Sequence, residues 1–322
     1  MERLKVGVVG LGAIGQKHVD VLRKLRHVEL VAISDLNEDL LTKNTTGTDI
    51  VGYADYHGML EHPGLEAVVI ATPDQLHRDV TIDFLRAGKH VLVEKPIATT
   101  VEDGEAMVQV AKETGKKLMV GFTLRFIPHY IQAKNAVTSG KLGVVSSIFA
   151  RRLNVITQAE RLGGRTGVLH FLAIHDFDLL HWIIGSKPVS IYSSASTSVE
   201  RKYPQENETF SIINFENGVV ACAHIGWNLP LAHPGGRDFK LDIIGDRGSL
   251  NLDLARQGLE IYSDTGSKFP STAPGLDRED EAFVNCVLDD SPVPVTGEDG
   301  IVALKMVLAA LESIELGRPV EI

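Results

Sequence analysis

Gly10-Leu11-Gly12-Ala13-Ile14-Gly15 stands between an apolar run, Leu4–Val9, and a segment whose apolar residues recur at helical spacing, Ile14 to Leu25. Strand, tight glycine turn and helix in that order leave few folds open. Gly10 permits the turn, Gly12 lets a pyrophosphate approach the backbone, and Gly15 lets the helix pack close to the sheet. The first helical turn, with Ala13 and Ile14, presents free N–H groups and a partial positive charge to phosphate. Asp35 ends the next apolar run, Val28–Ser34, 20 residues after Gly15. A carboxylate there accepts hydrogen bonds from ribose hydroxyls and repels a 2′-phosphate. Leu36 and Asn37 follow it, with no Arg, so the expected cofactor is NAD in preference to NADP.

Short apolar runs go on alternating with helical patterns: Ala67–Ile70, the helix Leu76–Ala87, His90–Val93, the helix Val101–Thr114 and Lys117–Val120. Near-continuous apolar strands imply a parallel sheet covered on both faces. The right-handed crossover rule then leaves the doubly wound arrangement. Beyond about Leu124 the rhythm changes. A helix at Pro128–Ser139, a strand at Val144–Leu153, a polar loop from Asn154 to Gly167 and a helix at Ala173–Ile184 lead into a series of strands. These are Val189–Ser198, Thr209–Phe215, Val219–Trp227, Phe239–Ile244 and Ser249–Leu252, with the hairpin signal Asn217-Gly218 between two of them. Helices at Asp277–Leu288 and Glu298–Ile314 close the chain. The expected fold class is α/β: an N-terminal doubly wound Rossmann domain, residues 1–124, which binds NAD. An α+β domain with a large, mostly antiparallel open sheet follows, residues 125–322, for substrate binding and oligomerisation.

Composition limits the partners. The 322 residues suggest two domains on length alone. Acidic residues outnumber basic ones 42 to 32 and no basic stripe appears, so no nucleic-acid partner is expected. The longest apolar runs stop well short of the ~18 residues that span a bilayer, and no signal-peptide pattern opens the chain. Cys222 and Cys286 are too few for a disulfide scaffold or a thiolate metal site. The expected compartment is a reducing cytoplasm, with no membrane partner.

Glu94-Lys95-Pro96 directly follows the His90–Val93 strand. Ligands of such sheets bind at the carboxyl ends of the strands. A Lys there, partly desolvated or beside a cation, can give up its proton. It could then accept a proton from a substrate hydroxyl or return one to a carbonyl. The bland alternative is a solvated surface Lys.

The glycine fingerprint, Ala71-Thr72-Pro73, Ala87-Gly88-Lys89-His90-Val91 and Glu94-Lys95-Pro96 together resemble the glucose–fructose oxidoreductase / inositol dehydrogenase (Gfo/Idh/MocA) family. So do Gly121-Phe122 with Arg125-Phe126 and Pro128, Ile174-His175-Asp176-Phe177-Asp178, and Thr296-Gly297-Glu298-Asp299-Gly300. The resemblance covers nearly the whole chain. It implies oxidation or reduction of sugars, cyclitols or related compounds, and a homodimer or homotetramer. It assigns Lys95 and His175 as catalytic residues and implies a cis Lys95–Pro96 bond. It places Thr72, Pro73, His77, Glu94 and Lys95 with Gly10, Gly12, Ala13, Ile14, Gly15 and Asp35 around the cofactor. The sequence departs from the family pattern at Phe171, where many members carry an Asp four residues before the His.

On the residues alone, His175 also reads as a packed core residue among Phe171, Leu179 and Trp182. Asp178 and His181 could pair, but no second ligand cluster accompanies them and no metal is expected. The polar loop and the strand before it offer Arg152, Asn154, Arg161 and Arg165 as substrate ligands, the guanidiniums being suited to phosphate or carboxylate. The expected function is an NAD-dependent dehydrogenase acting on a secondary alcohol or ketone of a sugar, nucleotide sugar or cyclitol, with Lys95 moving the proton. The alternatives are a non-catalytic dinucleotide sensor or an enzyme that recycles a tightly bound NAD.

Overall fold

The structure is a computed structural model that describes residues 3–196, 204–233, 236–254, 258–263, 266–268 and 275–322; for residues 158, 159, 161, 258–263 and 266–268 it describes the backbone alone. The chain divides into two compact units. The first unit comprises Met1–Thr123 with Gly275–Leu304, and the second Leu124–Pro274 with Lys305–Ile322. One crossing falls at the boundary read from the sequence. Two more occur because residues 275–304 return to the first unit.

The first unit opens with β1 (Leu4–Val9), α1 (Ala13–Leu22), β2 (Val28–Ser34), α2 (Glu38–Thr45), β3 (Val51–Tyr53) and α3 (His57–Leu60). It continues with β4 (Ala67–Ile70), α4 (His77–Arg86), β5 (His90–Glu94), α5 (Val101–Thr114) and β6 (Leu118–Gly121). The strands form one parallel sheet in the order β3-β2-β1-β4-β5-β6. Every residue of β4 and β6 is buried, as strands covered on both faces require. The order reverses between β1 and β4, which puts a crevice at the carboxyl ends of those strands. β3 and α3 escape a reading by periodicity because they span three and four residues, less than the pattern needs to repeat.

The second unit holds α6 (Pro128–Thr138), β7 (Val145–Val155), α7 (Thr157–Leu162), α8 (Ile174–Ile184), β8 (Pro188–Ala195), β9 (Glu208–Phe215), β10 (Val220–Leu229), β11 (Arg237–Gly245) and β12 (Gly248–Asp253). With β13 (Gly258–Ser263), β14 (Gly266–Lys268) and β15 (Val320–Glu321) the strands make a nine-stranded sheet, β14-β13-β12-β11-β7-β10-β9-β8-β15. All its pairings are antiparallel except β7 with β10. Thr209, Ser211, Ile213 and Phe215 of β9 are buried while Phe210 and Ile212 are exposed, the two-residue period of a sheet with one open face.

Two features differ from the sequence expectation. The polar loop after β7 contains a helix, α7. The segment Leu169–Ala173 ahead of α8 is a π-helical turn. Its wider turn breaks the plain 3.6-residue repeat on which the periodicity argument relies. The last helices, α9 (Leu276–Leu288) and α10 (Gly297–Leu316), begin in the first unit. Among the described residues no helix is long and apolar enough to cross a membrane.

Candidate active site

The glycine turn has the shape its sequence demands. Gly10 takes φ +89°, and a Cβ there would lie 2.6 Å from the Ala71 carbonyl oxygen. A Cβ on Gly15 would sit 1.9 Å from the Gly10 oxygen, so α1 can pack this closely only on hydrogen. Around Gly12 a Cβ would meet nothing within 4 Å. Gly12 and Ala13 are exposed and Ile14 is half-buried. α1 has no side-chain cap and no acidic residue in its first turn. Its leading N–H groups therefore suit an anion from outside the chain.

Asp35 faces this turn from the end of β2. One carboxylate oxygen accepts the Leu11 N–H at 2.6 Å and the other the Asn37 N–H at 2.8 Å. A carboxylate has about four lone-pair sites, so capacity remains for a ribose hydroxyl. Thr72, just beyond β4, has a buried hydroxyl with no hydrogen-bond partner among the described residues. An open glycine cradle, an anion-ready helix start, a fixed carboxylate and this hydroxyl fit a dinucleotide. Pro73 lies beside Thr72 and precedes a short turn, Asp74–Leu76. His77 is buried: its Nδ1 lies 2.7 Å from the Pro96 carbonyl and its Nε2 3.0 Å from that of Thr72. Burial pushes its imidazole below the usual histidine range.

Lys95 follows β5 directly, is half-buried, and is joined to Pro96 by a cis bond. Glu94 is 7% exposed. Its Oε2 accepts the Lys95 N–H at 3.0 Å and its Oε1 lies 3.2 Å from His18 Nε2. Burial opposes ionisation of Glu94, yet the hydrogen bond and charge of His18, then Lys95, hold its carboxyl below the usual range. Its carboxylate thus serves two neighbours within the first unit. His18 had no signal in the sequence beyond its place on the first helix.

In the second unit, His175 is the second residue of α8 and is half-buried. Phe171 lies in the π-helical turn, its ring centroid 6.2 Å from that of Trp227, whose indole N–H donates to Asn207. His170 is half-buried in the same turn. Arg152 is buried: its Nε donates to Asp176, its Nη2 lies 3.4 Å from the Tyr130 hydroxyl, and its guanidinium carbon sits 4.5 Å from the Phe239 ring centroid. Asn154 is half-buried on β7; Arg165 is exposed, its Nε donating to the Leu162 carbonyl at 3.1 Å. The Arg161 side chain lies outside the described residues. Asp178 is fully buried and takes two hydrogen bonds from Arg125, and His181 Nδ1 lies 3.0 Å from the Ser186 carbonyl.

Comparison with known proteins agrees with this geometry. Residues 4–122 match the NAD-binding Rossmann fold of the Gfo/Idh/MocA oxidoreductase family, and residues 134–322 its C-terminal alpha/beta domain. The chain is 26% identical to the myo-inositol 2-dehydrogenase of Thermotoga maritima, over 99% of this chain and 98% of that one. It is 27% identical to the scyllo-inositol 2-dehydrogenase (NAD(+)) of Bacillus subtilis, over 99% and 96%. The crystal structure of scyllo-inositol dehydrogenase from Lactobacillus casei with NAD(H) and scyllo-inositol superimposes with a TM-score of 0.86, at 26% identity and 99% coverage of both chains.

Proposed function

The chain belongs to the Gfo/Idh/MocA oxidoreductase family, and on that premise we propose that it is an NAD-dependent dehydrogenase acting on a secondary alcohol of a cyclitol or sugar. The observation that carries this reading is the first unit's combination of an open glycine cradle, the Asp35 carboxylate and Lys95 at strand ends of one sheet. The inositol dehydrogenases it resembles along its whole length favour a cyclitol. NAD, when bound, supplies the hydride acceptor. Lys95, as the free amine, takes the hydroxyl proton while the carbinol carbon becomes a carbonyl carbon, and returns it in the reverse direction. His175 is the assisting residue that the family pattern assigns. Arg165 and Asn154 stay candidates for substrate contact; Arg152 is assigned to the framework of its own unit, because its guanidinium is committed to Asp176 and Tyr130.

The test is to incubate the purified protein with NAD and a panel of cyclitols and sugars and follow NADH by absorbance. A cyclitol that accumulates free NADH is the expected result. No NADH with any substrate would overturn the reading and favour a sensor or an enzyme that never releases its cofactor. The Asp35 carboxylate would face a 2′-phosphate with like charge, so fluorescence titration should give a lower Kd for NAD than for NADP. Asp35→Ser should narrow that gap by weakening NAD and removing the repulsion. Equal affinities in the unsubstituted protein would defeat the assignment.

We also propose that the open sheet face joins copies of the chain. Tyr192, Ile212, Cys222 and Phe149 are in register across β8, β9, β10 and β7, and Val220 pairs with Ser147, which pairs with Ile244. Tyr192, Phe210, Ile212, Val220 and Ile244 are all exposed. A contiguous apolar patch of this kind marks an interface. Light scattering should give a multiple of 35.0 kDa, and a monomer at micromolar concentration would refute it.

A further inference from the structure

A buried charged cluster lies behind the Lys95 turn, wholly within the first unit. His18 of α1 and Glu279 and Asp280 of α9 are each 0% exposed, with Glu94 beside them. His18 Nδ1 lies 2.7 Å from Asp280 Oδ1, and its Nε2 3.2 Å from Glu94 Oε1. The other Glu94 oxygen accepts the Lys95 N–H. We propose that His18 is a positioning residue for Lys95: it grips the carboxylate that receives the Lys95 amide, and Asp280 grips His18 in turn. The proposal rests on Lys95 being the proton-handling group.

The chemistry of the cluster supports this. A carboxylate bound only by the adjacent amide keeps a free rotor. The second bond, from His18, fixes its plane and hence the amide from which the Lys95 side chain departs. The following residue is held as well, since the Pro96 carbonyl meets His77 at 2.7 Å. The backbone is thus gripped on both sides of the lysine by buried side chains, Glu94 and His77. Misplacement of a reacting group by ~1 Å can cost ~10²-fold in rate, so such a grip is worth keeping.

The charges are arranged to preserve the bridge. Both His18 nitrogens face carboxylates, which an imidazolium can serve with two N–H donors. Burial alone would lower the His18 pKa; the charge and hydrogen bond of Asp280, then those of Glu94, outweigh it and hold His18 well above the usual histidine range. Glu279 goes the other way. Burial, then the charge of Glu94, push its carboxyl well above the usual range, while the charge of His18 pulls the other way. Thr123 lies 3.4 Å from one Glu279 oxygen, Lys95 acts on Glu94, and Asp277 acts on Asp280. Atoms of His18, Glu279 and Asp280 lie within 4.8 Å of one another, a spacing that a cation could also use. A metal ligand must keep one imidazole nitrogen bare toward the ion; here each nitrogen already meets a carboxylate.

The experiment compares His18→Gln, His18→Leu and Asp280→Asn in the full chain. Gln keeps a donor toward Glu94; Leu keeps bulk without one. Two quantities are read: kcat against KM for NAD with the cyclitol that the protein oxidises, and hydrogen exchange of the Lys95 amide by mass spectrometry. The expected result is a fall in kcat of at least ~10-fold for Leu, less for Gln, with KM for NAD changed by no more than ~2-fold. The Lys95 amide should exchange at least ~10-fold faster in the same order, at unchanged protection elsewhere in the sheet. A residue that only filled space would rank Leu and Gln together. If the His18 variants do not fold, Asp280→Asn decides, since it spares the imidazole and removes its anchor. Wild-type kcat and wild-type Lys95 exchange in a folded variant would overturn the proposal, as would a stoichiometric metal ion in the purified protein. If the unsubstituted chain oxidises no cyclitol or sugar, the functional reading fails, and the exchange measurement still decides whether His18 holds the Lys95 amide.

Discussion

Replacing Lys95 by Ala should lower kcat by about 10²–10⁴-fold, the usual contribution of a general acid–base group, while NAD affinity stays near that of the unsubstituted protein. The two effects separate because of where the residues lie. The proposed dinucleotide cradle consists of Gly10, Gly12, the start of α1 and Asp35, at the carboxyl ends of β1 and β2. Lys95 follows β5, two strands along from β1, and the atom removed belongs to its side chain. The Glu94 bond is to the Lys95 backbone N–H and survives the substitution. Initial rates with the cyclitol substrate and NAD titration of the same preparation check this. A variant with near-normal kcat would remove Lys95 from the chemistry. Loss of NAD binding and kcat together would make Lys95 a cofactor ligand first.

The second large effect is on stability. Asp176→Ala should destabilise the second unit by roughly 3–5 kcal/mol, because it leaves a buried guanidinium without its counter-charge. Arg152 is 5% exposed and Asp176 2%. Burial pushes the Asp176 carboxyl up, and the charge of Arg152 beside it pulls the other way. The double change Arg152→Met with Asp176→Leu should restore most of the loss, since replacing both members of a buried pair by apolar groups is often close to neutral. Denaturant unfolding of the parent and the two variants, followed by the fluorescence of Trp182 and Trp227, measures it. The same variants test the framework role given to Arg152. A guanidinium reserved for substrate would raise KM on substitution and leave stability nearly untouched. A single Asp176→Ala variant as stable as the parent would show the pair to be dispensable.

His175 and Phe171 show where reading by period stops. Counting four residues back from the histidine finds the position where the resemblance leads one to expect an Asp, as in many members, and Phe171 stands there. The next step, placing both side chains on one face of a regular helix, assumes 3.6 residues per turn. Leu169–Ala173 forms a wider π turn instead. Within that turn Phe171 packs near Trp227, a residue 56 positions further along the chain. The arginines show the same boundary. Arg152 and Arg165 look alike in the sequence as cations near a polar loop, yet one is buried against Asp176 and the other is exposed.

What the sequence determined by itself was local in origin. Apolar runs bounded by glycines specify the strands and helices of the doubly wound sheet, because side-chain burial follows the period of each element. The need for hydrogen at Gly10 and Gly15 is a matter of contacts within one turn and its neighbouring strand, and it is legible from their spacing. Asp35 and Lys95 are fixed by the same logic, each at the carboxyl end of a strand. The tertiary structure alone decided which charges are spent on the fold. The bond from His18 to Asp280 joins residues 262 positions apart, and nothing in the sequence singled out Glu279 or Asp280 on their helix. It also returned residues 275–304 to the first unit. The physical reason is that a charged side chain takes its role from its partner and its burial, and both are set by segments that meet only when the chain has folded.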